Sequence, residues 1–103
     1  MLIALVTAVV AAQTPTQVIE IQLKDHRFSP AAITAKAGFP IRIELRNDDP
    51  AMEEFDSLDL GIERDVTPHG KISIVLPPQK PGAYRFMGEL HAKSAIGELT
   101  VTP

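Results

Sequence analysis

The stretch PIRIELR at residues 40–46 decides the fold class of this chain. Its apolar side chains, Ile41, Ile43 and Leu45, occupy every second position and alternate with charged side chains. This period of two is typical of a β-strand that buries one face and exposes the other. Similar short stretches of strand-forming residues lie at 18–23, 71–76, 84–87 and 97–101. The sequence therefore predicts a chain built from short strands.

Turn-forming residues separate these predicted strands. The chain contains nine prolines and six glycines, and most of the gaps between strands carry one or both. Short strands about 8–12 residues apart with such turns between them are typical of a Greek-key sandwich or barrel. We therefore predict an all-β Greek-key sandwich over residues 18–103. The predicted turns are Ser29-Pro30, Ala37-Gly38, Asp48-Asp49-Pro50, Pro68-His69-Gly70, Pro77-Pro78 and Pro81-Gly82.

The N-terminal residues have the pattern of an export signal. Residues 2–12, LIALVTAVVAA, are uncharged and apolar, and the polar residues QTPTQ follow at 13–17. We predict a signal peptide over residues 1–12, cleaved after Ala12, and a linker over residues 13–17. The apolar run is shorter than the roughly 20 residues that a membrane-spanning helix needs. We therefore expect the mature domain to be released into the periplasm without stable insertion in the membrane.

The composition excludes several functions. The chain of 103 residues has no cysteine, so it has no disulfide, no thiolate nucleophile and no thiolate metal ligand. Its 10 basic residues are outnumbered by 13 acidic ones, and aromatic residues make up 5%. It therefore lacks the basic surface and the stacking side chains that nucleic-acid binding requires. The Gly-x-Ser-x-Gly motif of many hydrolases is also absent from the sequence.

The acidic residues are concentrated in one part of the chain. Residues 48–65 contain eight of the 13 acidic residues and a single base, Arg64. Carboxylates at this density repel one another unless water solvates them or a cation binds between them. A solvated acidic loop and a metal site are both open interpretations at this point. The eight residues are Asp48, Asp49, Glu53, Glu54, Asp56, Asp59, Glu63 and Asp65.

Apolar residues interrupt the acidic stretch, which indicates that part of it packs against the core. Phe55 and Leu58 lie three positions apart, so a regular strand cannot bury both of them. We therefore predict a β-bulge between them, a feature that re-aims side chains next to functional sites. A carboxylate held in such partly apolar surroundings needs a partner, and a metal ion is one candidate.

A second group of candidate ligands follows the last aromatic strand. The stretch YRFMGELH at residues 84–91 ends a strand and continues into a loop that carries Glu89 and His91. Carboxylate and imidazole groups are both common metal ligands. Glu89 and His91 are therefore candidates for a metal site.

Four other residues are interpreted as structural. Tyr84 follows Pro81-Gly82 and is typical of a tyrosine corner, which ties a Greek-key connection. His26 is interpreted as a surface residue and His69 as a turn residue. Met87 is interpreted as a core residue, because methionine at the end of an apolar strand commonly fills core space.

The order of these features resembles that of the cupredoxins, over residues 18–102. It includes a Phe28-Ser29-Pro30 corner, a Gly38-Phe39-Pro40 turn into the middle strand and the segment PGAYRF at 81–86. The resemblance implies a cupredoxin-like β-sandwich. In blue copper members, the last loop supplies Cys, His and Met, and another His follows the middle strand.

The resemblance does not extend to a blue copper site. Of the four ligand positions, only the loop histidine is kept, as His91. Gly88 stands at the position of the cysteine, Ala95 near that of the methionine, and Glu53-Glu54 in the region of the first histidine. Without thiolate and thioether ligands, a copper site here is expected to be pale and poor at fast electron transfer.

A closer resemblance is to the cupredoxin-like group found among periplasmic components of bacterial iron uptake, which accompany a high-affinity iron permease. Members carry a Glu-Phe-(Glu/Asp)-Ser stretch, a downstream Glu beside a basic residue, and a Tyr-x-Phe-x-Gly-Glu-x-His loop. This sequence has these features at residues 54–57, 63–64 and 84–91. The resemblance implies a site that binds Cu(II) and iron, with the ligands Glu54, Asp56, Glu63, Glu89 and His91.

The function that this resemblance implies lies in ferrous-iron uptake, where the protein oxidises Fe(II) or hands iron on to the membrane permease. Oxygen ligands with one imidazole favour Fe(III) over Fe(II) and accept Cu(II), which is the bias that a ferroxidase needs. The sequence leaves open whether the chain is an enzyme. The alternative is a copper-buffering or metal-free interaction module whose acidic stretch docks on a basic partner.

Overall fold

The computed structural model describes residues 2–6 and 14–103. These residues form nine β-strands and one 3₁₀ turn. The predicted strands at 18–23, 40–46, 71–76, 84–87 and 97–101 are all present, with ends that differ by a few residues. The strands are β1 Gln17–Lys24, β2 Arg27–Ser29, β3 Ala32–Lys36, β4 Ile41–Asn47, β5 Glu53–Ser57, β6 Ile62–Val66, β7 Lys71–Leu76, β8 Gly82–Gly88 and β9 Ile96–Thr102, and the 3₁₀ turn is Glu89–His91.

The strands form two sheets that pack face to face. The first sheet has the order β2-β1-β4-β7 and the second has the order β3-β9-β8-β5-β6. The pairs β1 with β4 and β3 with β9 are parallel, and the other pairs are antiparallel. The chain changes sheet repeatedly, so both sheets contain strands that are distant in sequence. The prediction of an all-β sandwich is confirmed.

The core lies between the two sheets and follows the predicted alternation. Ile41, Ile43 and Leu45 are at most 1% exposed, because β4 is central and points every second side chain inward. From the facing sheet, Phe55 and Phe86 stack with ring centroids 5.2 Å apart. Phe28 meets both rings edge-on. These three aromatic rings join β2, β5 and β8.

The predicted β-bulge between Phe55 and Leu58 is wrong. Strands β5 and β6 form a hairpin in which Ser57 pairs with Ile62, and residues 58–61 are the turn. Leu58 is 98% exposed, so it has no core position for a bulge to supply. Gly61 takes the left-handed conformation, with φ of 67°, which closes the turn at no steric cost.

Tyr84 ties the connection between β7 and β8, as predicted. Its hydroxyl group donates a hydrogen bond of 2.7 Å to the carbonyl oxygen of Lys80. His69 is also a turn residue, as predicted, with a left-handed φ of 55°. Met87 is 39% exposed, so the prediction that it fills the core is wrong, because it points outward from β8.

The predicted signal peptide over residues 1–12 stays a prediction. Its cleavage point after Ala12 lies outside the described residues, and residues 2–6 have no regular secondary structure. Within the described ranges, no helix is both long and apolar enough to cross a membrane. The ordered strands begin with β1 at Gln17, one residue before the predicted start of the domain.

Candidate metal centres

Strand β5 directs its acidic residues to two different faces of the sheet. Glu53, Phe55 and Ser57 point into the sandwich and are at most 2% exposed. Glu54 and Asp56 occupy the alternate positions and point outward, since successive side chains of a strand lie on opposite faces. The two neighbouring glutamates, Glu53 and Glu54, therefore belong to separate groups of side chains.

The outward face of the β5–β6 hairpin carries a cluster of carboxylates. Asp56 lies directly opposite Glu63, and Glu54 lies opposite Asp65. One carboxylate oxygen from each of Glu54, Asp56 and Glu63 lies within 4.8 Å of the others. Glu89, at the start of the 3₁₀ turn, lies close enough to Asp56 for the two carboxyl groups to interact. We call Glu54, Asp56, Glu63 and Glu89 the acidic cluster.

The proximity of neighbouring carboxyl groups raises the pKa values of Glu54 and Glu89. A hydrogen bond that the protonated Glu54 donates to the carboxylate of Glu63, together with desolvation and the neighbouring Asp56, raises the pKa of Glu54 to about 7. The hydrogen bond with Asp56 and its charge raise the pKa of Glu89 above its usual range. Like charges opposite each other on paired strands are destabilising. At neutral pH, the acidic cluster therefore favours the binding of a proton or a cation.

Basic side chains do not neutralise the acidic cluster. Arg64 donates instead to the carbonyl oxygen of Ser73, and Arg85 lies 4.0 Å from Glu98. Among the described residues, no lysine or arginine is within salt-bridge distance of the four carboxylates. The Oδ1 atom of Asp56 is buried and has no hydrogen-bond partner in the described part of the chain. A buried carboxylate oxygen in this position requires a cation, a proton or water.

The acidic cluster opens onto a surface groove. Asp56, Glu63 and Glu89 line the groove together with Met87 and Arg85. An ion can therefore reach the carboxylates from solvent without a change of fold. Met87, which was predicted to lie in the core, adds a thioether group to the edge of this groove.

The structure does not place His91 in the acidic cluster. Its Nδ1 atom lies 2.6 Å from Oε2 of Glu53, on the inner face of β5. The other oxygen of Glu53 accepts hydrogen bonds from the backbone N–H groups of Leu90 and Glu54, at 2.9 and 3.1 Å. The single five-ligand site predicted from the sequence is thus divided, because Glu53 and Glu54 point to opposite faces. Metal binding by these residues stays a prediction.

His26 completes a second group with Glu53 and His91. The imidazole rings of His26 and His91 are stacked, with centroids 3.6 Å apart and planes 10° from parallel. One ligand atom from each of the three residues lies within 4.8 Å of the others. His26 lies at the surface, as predicted, with its side chain 42% exposed, and it also contacts His91. We call His26, Glu53 and His91 the histidine group.

Asp49 holds His26 in place. Its carboxylate accepts hydrogen bonds from the backbone N–H groups of Asp25 and His26, at 2.7 and 3.0 Å. Asp25 and His26 are both in the left-handed conformation, with φ of 52° and 57°, so the turn between β1 and β2 needs this support. Although burial acts to raise it, these hydrogen bonds hold the pKa of Asp49 below its usual value.

Sequence reasoning missed both Glu53 and His26. The inward position of Glu53 was predictable from the sequence. Glu53 and Phe55 lie two positions apart, so a strand that buries Phe55 must also turn Glu53 inward. His26 had no comparable signal in the sequence. Its contact with His91 depends on how the β1–β2 turn and the 3₁₀ turn meet in the folded protein.

The space around Glu53 does not fit a blue copper site. The sequence has no cysteine, and Gly88 stands at the position of the cysteine ligand. A Cβ atom at residue 88 would lie 2.7 Å from Oε2 of Glu53 and 2.8 Å from the Cβ atom of Ala95. The glutamate carboxylate therefore fills the space next to Gly88, and the ligands available here are oxygen and nitrogen atoms.

These features define a cupredoxin-like sandwich with carboxylate and imidazole groups in place of the blue copper ligands. The chain belongs to the family described as the cupredoxin-like domain, which it matches over residues 1–101. It is 40% identical over 83 residues to the uncharacterized protein RP394 of Rickettsia prowazekii (strain Madrid E). That match covers 81% of this chain and 66% of the relative, so the chain spans just under two thirds of the relative's length.

Solved structures with the same fold include copper-binding domains. The metal-binding domain of the Cu(I)-exporting P-type ATPase CopA from Streptococcus pneumoniae D39 has a TM-score of 0.77 and 24% identity, covering 90% of this chain and 92% of that one. Auracyanin A, a blue copper protein from Chloroflexus aurantiacus, has a TM-score of 0.73 and 14% identity, covering 85% and 100%. At these identities the likeness supports the fold.

Proposed function

We propose that this chain is a metal-binding protein that holds iron at the acidic cluster. The observation that carries the proposal is Asp56, whose buried Oδ1 atom lacks a hydrogen-bond partner among the described residues. Its neighbours Glu54 and Glu63 are carboxylates as well. A bound cation would partner this oxygen and remove the repulsion among the acidic side chains.

The donor set favours a hard ion. All four side chains of the acidic cluster offer oxygen, and the imidazole of His91 is engaged with Glu53 on the other face of β5. Without that imidazole, the site is harder than the sequence predicted. Oxygen donors suit hard cations, and Fe(III) is harder than Fe(II). Binding here is therefore expected to favour Fe(III).

The role that we propose for this site is iron handling in the periplasm, before a membrane permease takes up the ion. Support comes from the sequence features at residues 54–57, 63–64 and 84–91, which resemble those of periplasmic iron-uptake proteins. The open groove beside the acidic cluster also supports it, since an ion that is to be handed on must be accessible. Binding and transfer of iron need no electron acceptor, because they leave its oxidation state unchanged.

Calorimetric titration of the chain with Fe(II) under anaerobic conditions, repeated with Fe(III) supplied as its citrate complex, tests this proposal. Glu63→Gln removes one ligand of the acidic cluster, and the matched control Glu20→Gln changes an exposed glutamate on β1, in the other sheet. We expect one saturable site per chain, an affinity loss of about 10-fold or more in Glu63→Gln, and no change in Glu20→Gln. Equal affinities in all three proteins, or the absence of binding of both Fe(II) and Fe(III), would contradict the proposal.

The metal-free alternative is tested by the same proteins. An acidic docking surface is expected to form a salt-sensitive complex with a basic partner. Such a complex would form equally well in the presence of a chelator, and Glu63→Gln would weaken it only slightly. This result, together with the absence of iron binding, would favour the docking module.

A further inference from the structure

The outer face of the second sheet carries apolar side chains directly beside the acidic cluster. Met87 on β8 pairs with Ile96 on β9 and, on its other side, with Asp56 on β5, and Asp56 pairs with Glu63 on β6. These four residues form one row across four strands. Neighbouring strands lie about 4.8 Å apart, so the row is roughly 14 Å long. One half of the row is apolar and the other half is acidic.

The apolar half of this row is exposed to solvent. Ile96 is 54% exposed and Met87 is 39% exposed. Leu58, in the β5–β6 turn, lines the same groove as Met87 and is 98% exposed. We call Leu58, Met87 and Ile96 the apolar strip. Exposed apolar side chains that are grouped together and bordered by polar ones are typical of a surface that binds another protein.

We propose that the apolar strip and the acidic cluster together bind a protein segment in which apolar side chains lie next to basic ones. The apolar strip buries the apolar side chains of the segment, and the acidic cluster pairs with its lysine or arginine side chains. That the segment belongs to the protein that receives iron rests on the function proposed above. The docking itself requires no bound iron.

The charge of the surface selects a basic partner. In the part of the chain that the structure describes, no lysine or arginine forms a salt bridge with the four carboxylates of the acidic cluster. One Fe(III) ion cancels three of the four negative charges of the ionised cluster, so the surface stays negative when iron is bound. Opposite charge on a partner speeds the encounter and fixes the orientation of the complex. A basic segment is therefore attracted to both the iron-free and the iron-loaded chain.

The same charges disfavour other occupants of this surface. A symmetric pair of copies places the same surface patch of each copy against the other, which brings two acidic clusters close together. An anionic lipid surface attracts basic segments and repels carboxylates. A wholly apolar partner would remove water from the carboxylates without pairing them, which is costly. A segment with both apolar and basic side chains avoids these costs.

The row also sets the spacing of side chains within the partner segment. The middle of the Ile96–Met87 pair and the middle of the Asp56–Glu63 pair are two strand spacings apart, or about 10 Å. An extended segment advances about 3.3 Å per residue, so roughly three residues span this distance. An apolar pair and a basic pair whose centres are three residues apart therefore match the surface.

Nuclear magnetic resonance titration of the metal-free chain, with a chelator present, tests the proposal. The probe is the peptide acetyl-Leu-Val-Ser-Lys-Arg-amide, which has this spacing, and the control peptide has serine in place of leucine and valine. We expect saturable shifts confined to amides of β5, β6, β8, β9 and the turns next to the row. The control peptide should bind about 5-fold or more weakly, and added salt should weaken the binding of both peptides.

Variants of the chain test each half of the surface. Ile96→Ser interrupts the apolar strip and should weaken binding of the probe about 5-fold or more. The matched control Val75→Ser changes a valine that is 69% exposed on β7, in the other sheet, and should leave the affinity unchanged. Glu63→Gln removes one charge from the acidic half, so it should weaken binding and reduce its dependence on salt.

The absence of saturable binding, equal binding of the two peptides, or equal affinities in Ile96→Ser and Val75→Ser would overturn the proposal. A concentration-dependent dimer that Ile96→Ser abolishes would also overturn it, because the surface would then bind a second copy. Thermal unfolding of each variant identifies a loss of binding that is due only to loss of fold. Ile96→Ser should bind iron in the calorimetric titration as the unmodified chain does, because Ile96 offers no ligand atom. Failure of docking and failure of iron binding are therefore recognised separately.

Discussion

The carboxylate of Glu53 lies 2.6 Å from Nδ1 of His91, on the opposite face of β5 from Glu54. This relationship separates the imidazole of the last loop from the carboxylates of the β5–β6 hairpin. It turns a single predicted site into two groups, one made of oxygen donors only and one made of two imidazoles and a buried carboxylate. The side chains of one group can therefore be substituted while those of the other group are kept.

Gly88→Ala is expected to destabilise the protein. Gly88 has φ of −91°, which any residue adopts, so the cost comes from contact and not from the backbone. A Cβ atom would lie 2.6 Å from Cδ of Glu53, and overpacking of this kind costs about 1–3 kcal/mol. Urea unfolding measures the free energy. An unchanged unfolding midpoint would show that the Glu53 carboxylate does not occupy this space.

The acidic cluster is expected to give the metal-free protein a specific pH dependence. The pKa of Glu54 is about 7 when folded, against an ordinary value of 4.5, so between these values the folded state binds more protons than the unfolded state. The contribution of Glu54 to stability is therefore full below its unfolded pKa and is lost as pH rises through the folded pKa of about 7.

The variant Glu54→Gln removes this titration. The free energy of unfolding of Glu54→Gln minus that of the unmodified chain should be larger at pH 8 than at pH 5.5. Urea unfolding with a chelator present measures both free energies. The comparison of two proteins at each pH cancels the titration of the groups that do not interact with Glu54. An identical difference between the two proteins at both pH values would contradict the raised pKa of Glu54.

The hairpin between β5 and β6 predicts that one apolar residue contributes strongly to stability and another contributes little. Phe55 is fully buried against Phe86, and its replacement by alanine should cost about 3–5 kcal/mol. Leu58 is 98% exposed in the turn, so Leu58→Ala should change stability by less than about 0.5 kcal/mol. Thermal or urea unfolding measures both. A large loss of stability in Leu58→Ala would support the bulge that the structure excludes.

The tyrosine corner is tested by Tyr84→Phe. This change removes the hydrogen bond of 2.7 Å to the carbonyl oxygen of Lys80 and keeps the ring, which packs against the core. The expected loss is about 0.5–1.5 kcal/mol in the free energy of unfolding, with no change in metal binding. A variant as stable as the unmodified chain would show that the corner adds nothing measurable to the fold.

The sandwich was predictable where one physical rule acts alone. In β4 the alternation of Ile41, Ile43 and Leu45 with charged residues specifies a strand with one buried face. Strand β5 has the same alternation, but only Phe55 marks its inner face, and the other inward positions are Glu53 and Ser57. When hydrogen-bonded polar residues occupy the inward positions of a strand, the alternation of apolar residues that predicts the strand is missing from the sequence.

The candidate site was predictable in part for the same reason. Glu54, Asp56 and Glu63 were expected together, and the hairpin register brings them together. The position of His91 depends on which face of β5 its partner occupies, and the sequence motif does not state this. The stacking of His26 on His91 depends on the packing of two distant turns, which no local pattern in the sequence encodes.

The most direct test of iron binding at the acidic cluster is a pair of crystal structures, one soaked anaerobically with Fe(II) and one soaked with Fe(III) citrate, with anomalous data collected on both sides of the iron absorption edge. We expect an anomalous peak among the carboxylates of Glu54, Asp56 and Glu63, within about 2.0–2.2 Å of their oxygen atoms. A peak beside His91 and Glu53 instead, or the absence of any ordered iron at saturating concentration, would contradict the assignment.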